Sequence, residues 1–168
     1  IGDYGMDIDE RLLRVSRIHD AMVEVTTKCN LRCSYCAVSH PDWVERTMED
    51  SQLTNVLNQL ADMSPKVISL HGHGETTIVN DWTKYAGMLT SKGIGVSLCS
   101  NLMKQFDDHE IDTLSQFEHL AVSIDTIDVD LFKRLRRGGD VRQVTYNLLR
   151  IISRARAKRW PLMVTFSI

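Results

Sequence analysis

The sequence predicts an α/β fold in which parallel strands and covering helices form a partial (β/α) barrel of the TIM type. Short apolar segments alternate with longer amphipathic segments from residue 21 onward, and this alternation is typical of a parallel sheet covered by helices. An eight-unit barrel needs about 250 residues, or roughly 31 for each strand with its helix. The 148 residues from 21 to 168 therefore accommodate nearly five units, and we expect the barrel to stop after about its fifth strand.

Five segments have the length and composition of buried strands. Each is short, rich in Val, Ile and Leu, and bounded by polar or glycine-containing residues. The last segment is still apolar where the sequence stops, which favours a barrel cut from a longer chain. The predicted strands are residues 21–26, 67–70, 95–99, 120–124 and 162–168.

Five further segments have the spacing of amphipathic helices. Their apolar residues recur three or four positions apart, so that one face of each helix would pack on the sheet. The predicted helices are residues 50–63, 81–92, 107–117, 128–135 and 141–159.

The chain shows no internal linker. No stretch rich in Pro, Gly or Ser and no repeat divides it, so we expect a single core domain over residues 20–168. Residues 1–19 precede the first predicted strand and carry apolar residues among charges. We expect them to form an N-terminal extension with a short helix.

Composition places the chain among ordinary globular proteins. Hydrophobic residues make up 43% and charged residues 25%, which excludes disordered, collagen-like and disulfide-dense classes. No apolar stretch reaches the roughly 18–20 residues of a membrane span, and the start of the sequence lacks the pattern of a signal peptide. We expect a cytoplasmic protein with no membrane partner.

Charge is distributed unevenly along the chain. The net charge is −2, yet residues 133–159 contain ten basic residues and one acid, Asp140. One interpretation is the solvated face of an amphipathic helix, which the apolar residues between the charges favour. The other is a surface that binds phosphate, nucleic acid or an acidic partner.

Three cysteines within eight residues are the most informative feature of the sequence. Cys29, Cys33 and Cys36 have the spacing C-x3-C-x2-C and directly follow the first predicted strand. In parallel α/β proteins, active-site and ligand-binding residues lie at the carboxyl ends of the strands. Thiolates bind iron–sulfur clusters and zinc, and a cubane cluster normally takes four of them. Three cysteines would therefore leave one iron open, as in a catalytic metal centre.

Zinc is the alternative that the local spacing leaves open. His40 follows Cys36 by four residues and would complete a Cys3His site. In that case the chain would be a zinc-binding module whose basic helix contacts nucleic acid.

The cysteine segment resembles the signature of the radical S-adenosylmethionine (SAM) enzymes, a C-x3-C-x-aromatic-C motif after the first strand of a partial barrel. Tyr35 stands at the aromatic position. The resemblance is closest to the SPASM/peptide-maturase and molybdenum-cofactor-cyclase-like branch. It implies that Cys29, Cys33 and Cys36 hold a [4Fe–4S] cluster whose fourth iron binds SAM. Reductive cleavage would then yield a 5′-deoxyadenosyl radical that abstracts hydrogen from a substrate, for which this branch suggests a peptide. The electron would come from a reductant such as flavodoxin or ferredoxin.

The segment after the second predicted strand resembles the Gly-x-Gly-Glu turn with which this family holds the amino group of SAM. Gly72, Gly74 and Glu75 match the turn, whereas Thr76 stands where the family often has Pro. The resemblance thus implies that these three residues bind the cofactor.

Residues at the ends of the next two strands also match the family. Asn101 resembles its Thr-Asn-Gly position, although Leu102 replaces the glycine, and Ser123 and Asp125 resemble its Ser-Ile/Leu-Asp segment. The resemblance implies cofactor or substrate contacts from Asn101, a ribose contact from Ser123, and a ribose or substrate contact from Asp125. Tyr35 would contribute through its backbone.

Five other residues are candidates without a defined role. His71 and His73 are candidates for the substrate pocket, and Arg136 or Arg142 for binding a carboxylate of cofactor or substrate. Cys99 is expected to be a buried thiol without a ligand role. No catalytic residue that acts on the substrate is identified.

Overall fold

A computed structural model describes residues 18–167, so the helix expected before residue 18 lies outside the described residues. Short 3₁₀ helices occupy Ala37–Ser39 and Thr76–Ile78. The strands and helices, in chain order, are β1 (Asp20–Met22), β2 (Arg32–Cys33), α1 (Asp50–Asp62), β3 (Val67–Ser69), α2 (Trp82–Ser91), β4 (Gly95–Ser100), α3 (Asp108–Ser115), β5 (His119–Ser123), α4 (Val129–Leu135), β6 (Arg136–Arg137), α5 (Val141–Lys158) and β7 (Met163–Ser167).

The main sheet has five parallel strands in the order β1-β3-β4-β5-β7. The sheet is open, with β1 and β7 at its two edges in the described part of the chain. This confirms the predicted α/β class, its parallel strands and its five covering helices. The first strand is shorter than predicted: it ends at Met22 instead of continuing to Thr26. Thr26 pairs through a single bridge with Thr47, because the chain leaves the sheet there to form the cysteine loop.

The two faces of the sheet differ in polarity because side chains alternate along each strand. On β5, Leu120 and Val122 are fully buried under the helices, whereas His119 and Ser123 lie on the opposite face. That second face is the concave side of the partial barrel, where the His119 ring contacts the hydroxyls of Ser97 and Thr165. The concave side therefore presents small polar groups, and the apolar core lies between sheet and helices.

The helices bury leucine, isoleucine and valine side chains against the outer face of the sheet. Burying one such side chain stabilises the fold by about 1.5–3 kcal/mol. Core residues with at most 1% exposure include Leu53, Leu57, Ile68, Leu89, Leu98, Ile111, Leu114, Val144 and Ile151.

Part of the basic segment has a structural role. Arg150 on α5 binds Asp108, and Arg154 binds Asp112, so two of the ten basic side chains fasten α5 to α3. Both acids lie in α3, which begins with a capping box between Asp107 and Glu110. This part of the segment fits the helix-face interpretation, whereas the residues between α4 and α5 lie beside the cysteine loop, as described below.

No helix in the described range 18–167 combines the length and apolarity that crossing a membrane requires.

Candidate functional site

Cys29, Cys33 and Cys36 line one cavity of about 210 Å³ at the carboxyl ends of the strands. All four cysteines of the chain are free thiols in the structure. The loop that carries the three is tightened by the Ser39 hydroxyl, which donates to the Cys33 carbonyl at 2.6 Å. Burial raises the pKa of the Cys29 and Cys33 thiols, and the Arg136 guanidinium opposes this increase at Cys33. Three free thiols that line one cavity offer sulfur ligands of the kind that iron–sulfur clusters take.

The zinc alternative is not supported. Within residues 18–167, no group of three or more Cys, His, Asp or Glu side chains is arranged to hold a single metal ion. His40 does not line the cavity, and its ring Nδ1 accepts a hydrogen bond from the backbone N–H of Asp42 at 3.2 Å. His40 therefore does not join the three cysteines at the cavity, because it follows the 3₁₀ helix Ala37–Ser39 that comes directly after Cys36.

The glycine turn after β3 packs directly against the cysteine loop. A Cβ atom on Gly74 would lie 2.2 Å from the Thr26 carbonyl oxygen and 2.5 Å from that of Lys28. The next residue strengthens this contact, since the backbone N–H of Glu75 donates to the Lys28 carbonyl at 2.8 Å. Gly74 therefore permits a close approach of two loops of the protein, where we had expected close approach to a ligand. Gly72, Gly74 and Glu75 all line the cavity.

The Glu75 carboxylate is 3% exposed and accepts hydrogen bonds on both oxygens. Its Oε1 receives the hydroxyls of Thr77 at 2.8 Å and Ser100 at 2.9 Å, together with the Thr77 N–H at 3.3 Å. Its Oε2 receives the backbone N–H of Asn101 at 2.7 Å. Burial raises the pKa of Glu75, and these hydrogen bonds oppose the increase. The carboxylate thus joins the ends of β3 and β4 at the cavity wall.

Asn101 connects the end of β4 to the cysteine loop. Its side-chain amide donates to Asn30 Oδ1 at 2.8 Å and to the Cys29 sulfur at 3.7 Å. The following residue, Leu102, has a φ of 51°, in the left-handed region that favours glycine. This explains why the resembling family has glycine at this position, and it places backbone strain immediately beside the cavity.

Ser123 lines the cavity, and its hydroxyl lies 3.4 Å from the Cys99 sulfur. Cys99 belongs to β4 and faces the same cavity, so it is less buried than we expected. Asp125 does not line the cavity; its carboxylate binds Arg136 and accepts the Tyr35 hydroxyl at 2.8 and 3.0 Å. A ribose or substrate contact from Asp125 would have to coexist with these bonds. Burial and the hydrogen bond to Asp125 raise the pKa of Tyr35.

A two-stranded antiparallel ribbon, β2 with β6, was not predicted. It pairs Cys33 with Arg136 and Arg32 with Arg137, and the Ser34 N–H donates to the Leu135 carbonyl at 2.8 Å. The ribbon brings the Arg-Gly turn after α4 onto the cysteine loop and places the Arg136 guanidinium on the cavity wall. The sequence signal is weak, since two-residue strands are too short to show alternation.

His73 lines the cavity and is held by Glu24, a residue that the sequence analysis missed. The Glu24 carboxylate accepts the backbone N–H of His73 and lies 3.2 Å from the ring Nδ1. The Trp43 ring packs on the other side, with ring centroids 5.3 Å apart. His71 does not line the cavity, and Arg142 lies on a separate groove between α4 and α5.

Comparison with known proteins identifies this arrangement. The sequence pattern of the Radical SAM superfamily matches residues 23–167, which is most of the chain. The chain therefore belongs to the Radical SAM superfamily, as the cysteine motif indicated. Proteins of this superfamily are enzymes that use a [4Fe–4S] cluster together with SAM.

Relatives with a similar sequence include several GTP 3′,8-cyclases. The chain is 27% identical over 158 residues to a GTP 3′,8-cyclase of Clostridium perfringens, a match that covers 86% of this chain and 43% of the cyclase. The chain thus spans less than half the length of that relative.

Among solved structures, the fold is similar to Streptococcus suis SuiB bound to SAM, with a TM-score of 0.68 and 16% identity over 89% of this chain and 34% of that one. SuiB bound to its precursor peptide SuiA gives a TM-score of 0.64 and 14% identity over 94% of this chain and 42% of that one.

Proposed function

We propose that this chain is the catalytic core of a radical SAM enzyme in which Cys29, Cys33 and Cys36 hold a [4Fe–4S] cluster. The observation that carries the proposal is the meeting of these three free thiols on one cavity wall. When bound, the cluster supplies the single electron that cleaves SAM into methionine and a 5′-deoxyadenosyl radical. The superfamily match over residues 23–167 supports the same chemistry.

The surrounding residues would hold SAM against the cysteine loop. The Gly72–Glu75 turn offers backbone groups and a carboxylate for the amino group of SAM, and Asn101 and Ser123 supply polar side chains on the neighbouring strand ends. Arg136 also lies on the cavity wall; its Nε and Nη2 bind Asp125, so a carboxylate of SAM would have to bind through Nη1. Glu75 accepts the backbone N–H of Asn101, and the Asn101 amide donates to Asn30, so these groups are positioned before binding, which lowers the entropy lost on binding.

Anaerobic reconstitution with iron and sulfide tests the cluster assignment. We expect the chain to bind iron and sulfide in equal amounts and to show broad visible absorbance. Cys33→Ala should lose both, because two thiolates are too few to retain a cluster that normally has four protein ligands. The matched control is Cys99→Ala, which removes a thiol from the same cavity but from β4 rather than from the cysteine loop. Retention of the cluster by Cys33→Ala would refute the assignment.

Product analysis tests the radical chemistry. With dithionite and SAM, the reconstituted chain should release methionine and 5′-deoxyadenosine. A chain that holds the cluster and forms neither product would be a non-catalytic scaffold, contrary to the proposal.

For the substrate we propose a peptide, supported by the likeness in fold to SuiB, which has been crystallised with a precursor peptide. The competing substrate is GTP, from the name of the cyclase relative. Transfer of deuterium from a labelled peptide into 5′-deoxyadenosine would support the peptide. Transfer from labelled GTP would support GTP instead. We further propose a cytoplasmic protein reduced by flavodoxin or ferredoxin, consistent with its four free thiols.

A further inference from the structure

The β2–β6 ribbon has one face toward the cavity and one toward solvent. Residues directly opposite in an antiparallel pair share a face, and successive residues alternate between faces. Cys33 and Arg136 form one pair and both are buried, at 8% and 7% exposure. Arg32 and Arg137 form the next pair and both are exposed. The solvent-facing side of the ribbon therefore carries two arginines, and only the ribbon backbone separates it from the Cys33 side chain.

Two more exposed cations lie next to Arg137 in the chain. Lys133 and Arg134 lie in the last turn of α4, and Arg137 lies in β6 immediately after it. None of the three has an acidic partner within salt-bridge distance among residues 18–167, and Asp130 in the first turn of α4 does not pair with them. We call Lys133, Arg134 and Arg137 the basic surface.

Within residues 18–167, other cations of the basic segment, such as the exposed Arg156 and Lys158 at the end of α5, also have no salt bridge, so the basic surface is set apart by its place beside the ribbon. Arg136, Arg150 and Arg154 are each bound to an aspartate. Arg32, opposite Arg137, has its charge offset by Glu45 at 2.5 Å and donates to the Cys29 carbonyl. Two positive charges directly opposite each other destabilise an antiparallel strand pair. The pairing of Arg137 with Arg32 therefore does not stabilise the fold.

We propose that the basic surface is the docking site for an acidic one-electron carrier protein, an inference that rests on the proposed function. Electron transfer weakens steeply with distance, so a carrier should bind close to a cysteine that would hold the cluster. The ribbon provides such a place, because its inner face carries Cys33 and its outer face carries Arg137. Unpaired positive charge steers an acidic partner to it and raises the association rate.

The transfer balances as a one-electron exchange. The reduced carrier loses one electron and is oxidised by one unit, and the cluster held by the cysteine loop gains that electron. No proton or leaving group is involved. The position of the basic surface beside the cysteine loop favours an electron carrier over a nucleic acid.

Charge reversal with a matched control tests the docking site. The double variant Lys133→Glu/Arg137→Glu removes positive charge beside the ribbon, and we call it the ribbon variant. The control Arg156→Glu/Lys158→Glu makes the same change in net charge on exposed residues at the end of α5, which precedes the amino end of β7 and so lies away from the cavity. Stopped-flow absorbance measures the rate at which reduced flavodoxin, an acidic carrier, reduces the reconstituted cluster.

At low ionic strength we expect the ribbon variant to be reduced roughly tenfold more slowly by flavodoxin than the wild type, and the control about as fast as the wild type. The difference should shrink as salt is added. Reduction by dithionite, a small reductant that needs no docking site, should be the same for all three. Equal flavodoxin rates for both variants would overturn the proposal, as would a slower dithionite reaction confined to the ribbon variant.

A binding measurement separates failure of this inference from failure of the proposed function. Oxidised flavodoxin should bind the cluster-free chain, and binding should weaken in the ribbon variant alone. If the wild type takes up no cluster but shows this binding pattern, the proposed function fails and the docking site stands. If a single-stranded RNA oligonucleotide binds the basic surface and flavodoxin does not, the docking proposal is wrong.

Discussion

Arg136 holds the carboxylate of Asp125 through two hydrogen bonds, from Nε at 2.6 Å and from Nη2 at 3.1 Å. Both side chains are more than nine-tenths buried, at 8% and 9% exposure. The Tyr35 hydroxyl donates to the same carboxylate, and the guanidinium lies 5.8 Å from the Tyr35 ring centre. Three segments of the chain therefore meet at one ion pair: the segment after β5, the start of β6 and, 90 residues before Asp125, the cysteine loop.

Removing Asp125 should destabilise the fold strongly. Asp125→Ala leaves the Arg136 charge buried without a partner, which costs about 3–5 kcal/mol. Urea unfolding of the cluster-free chain measures this as a fall in the free energy of unfolding. The control is Asp42→Ala, whose side chain is 91% exposed and whose removal should change the free energy by less than about 0.5 kcal/mol. Similar values for the two variants would show that the pair is not formed in solution.

Gly74→Ala should displace the cysteine loop. The new Cβ would meet two backbone carbonyls at 2.2 and 2.5 Å, and neither can rotate away as a side chain would. We expect less iron bound after reconstitution and lower stability. Gly87→Ala is the matched control, because that glycine lies inside α2 with nothing within 4 Å of the new Cβ. The control should gain roughly 0.5–1 kcal/mol from helix propensity, and an equal loss of iron in both would contradict the packing argument.

Glu75→Gln should disrupt the hydrogen bonds between β3 and β4. A carboxylate accepts on both oxygens, whereas the glutamine amide places N–H groups against at least one existing donor. Leaving such a buried group unsatisfied costs about 1–3 kcal/mol in the free energy of unfolding, which urea denaturation measures. Glu49→Gln, an exposed residue whose side chain does not cap α1, should be nearly neutral. A neutral Glu75→Gln would mean that the buried network contributes nothing to stability.

His71 should make the fold less stable in mild acid. Burial lowers the pKa of His71 below its usual 6.5, and the charge of nearby His119 acts in the same direction. Below pH 6.5 the unfolded chain therefore binds a proton at this residue that the folded chain does not yet bind, so stability falls as the pH falls. His71→Gln should reduce the loss of stability between about pH 7.5 and pH 5.5, measured by urea unfolding. Identical stability profiles for His71→Gln and the wild type over this pH range would disprove the assignment.

Local patterns in the sequence predicted the elements of the fold well. The predicted helix at 50–63 is Asp50–Asp62 in the structure, and the predicted strand at 95–99 is Gly95–Ser100. Both kinds of element leave a periodic pattern of apolar residues within a short window, which is why they can be recognised. The predicted strand at 21–26 was too long, because an apolar pattern does not reveal where a chain leaves its sheet.

For the site, the sequence predicted most of the residues that line the cavity but not the hydrogen bonds and ion pairs between them. The three cysteines, the glycine turn, Asn101 and Ser123 were expected together and line one cavity. The Glu24–His73 contact and the bonds of Asp125 to Tyr35 and Arg136 were not foreseen. Polar side chains have no periodicity that identifies their partners, and Tyr35 lies 90 residues from Asp125.

By itself, the sequence determined the parallel α/β architecture and the three thiols on one loop, because hydrophobic periodicity and cysteine spacing are local properties. Only the tertiary structure decided that Gly74 packs against the cysteine loop and that Cys33 pairs across a ribbon with Arg136. It also divided the basic segment into arginines that bind acids and cations that face solvent. These outcomes depend on which distant segments the folded backbone brings within a few ångströms, and no local stretch of sequence specifies that.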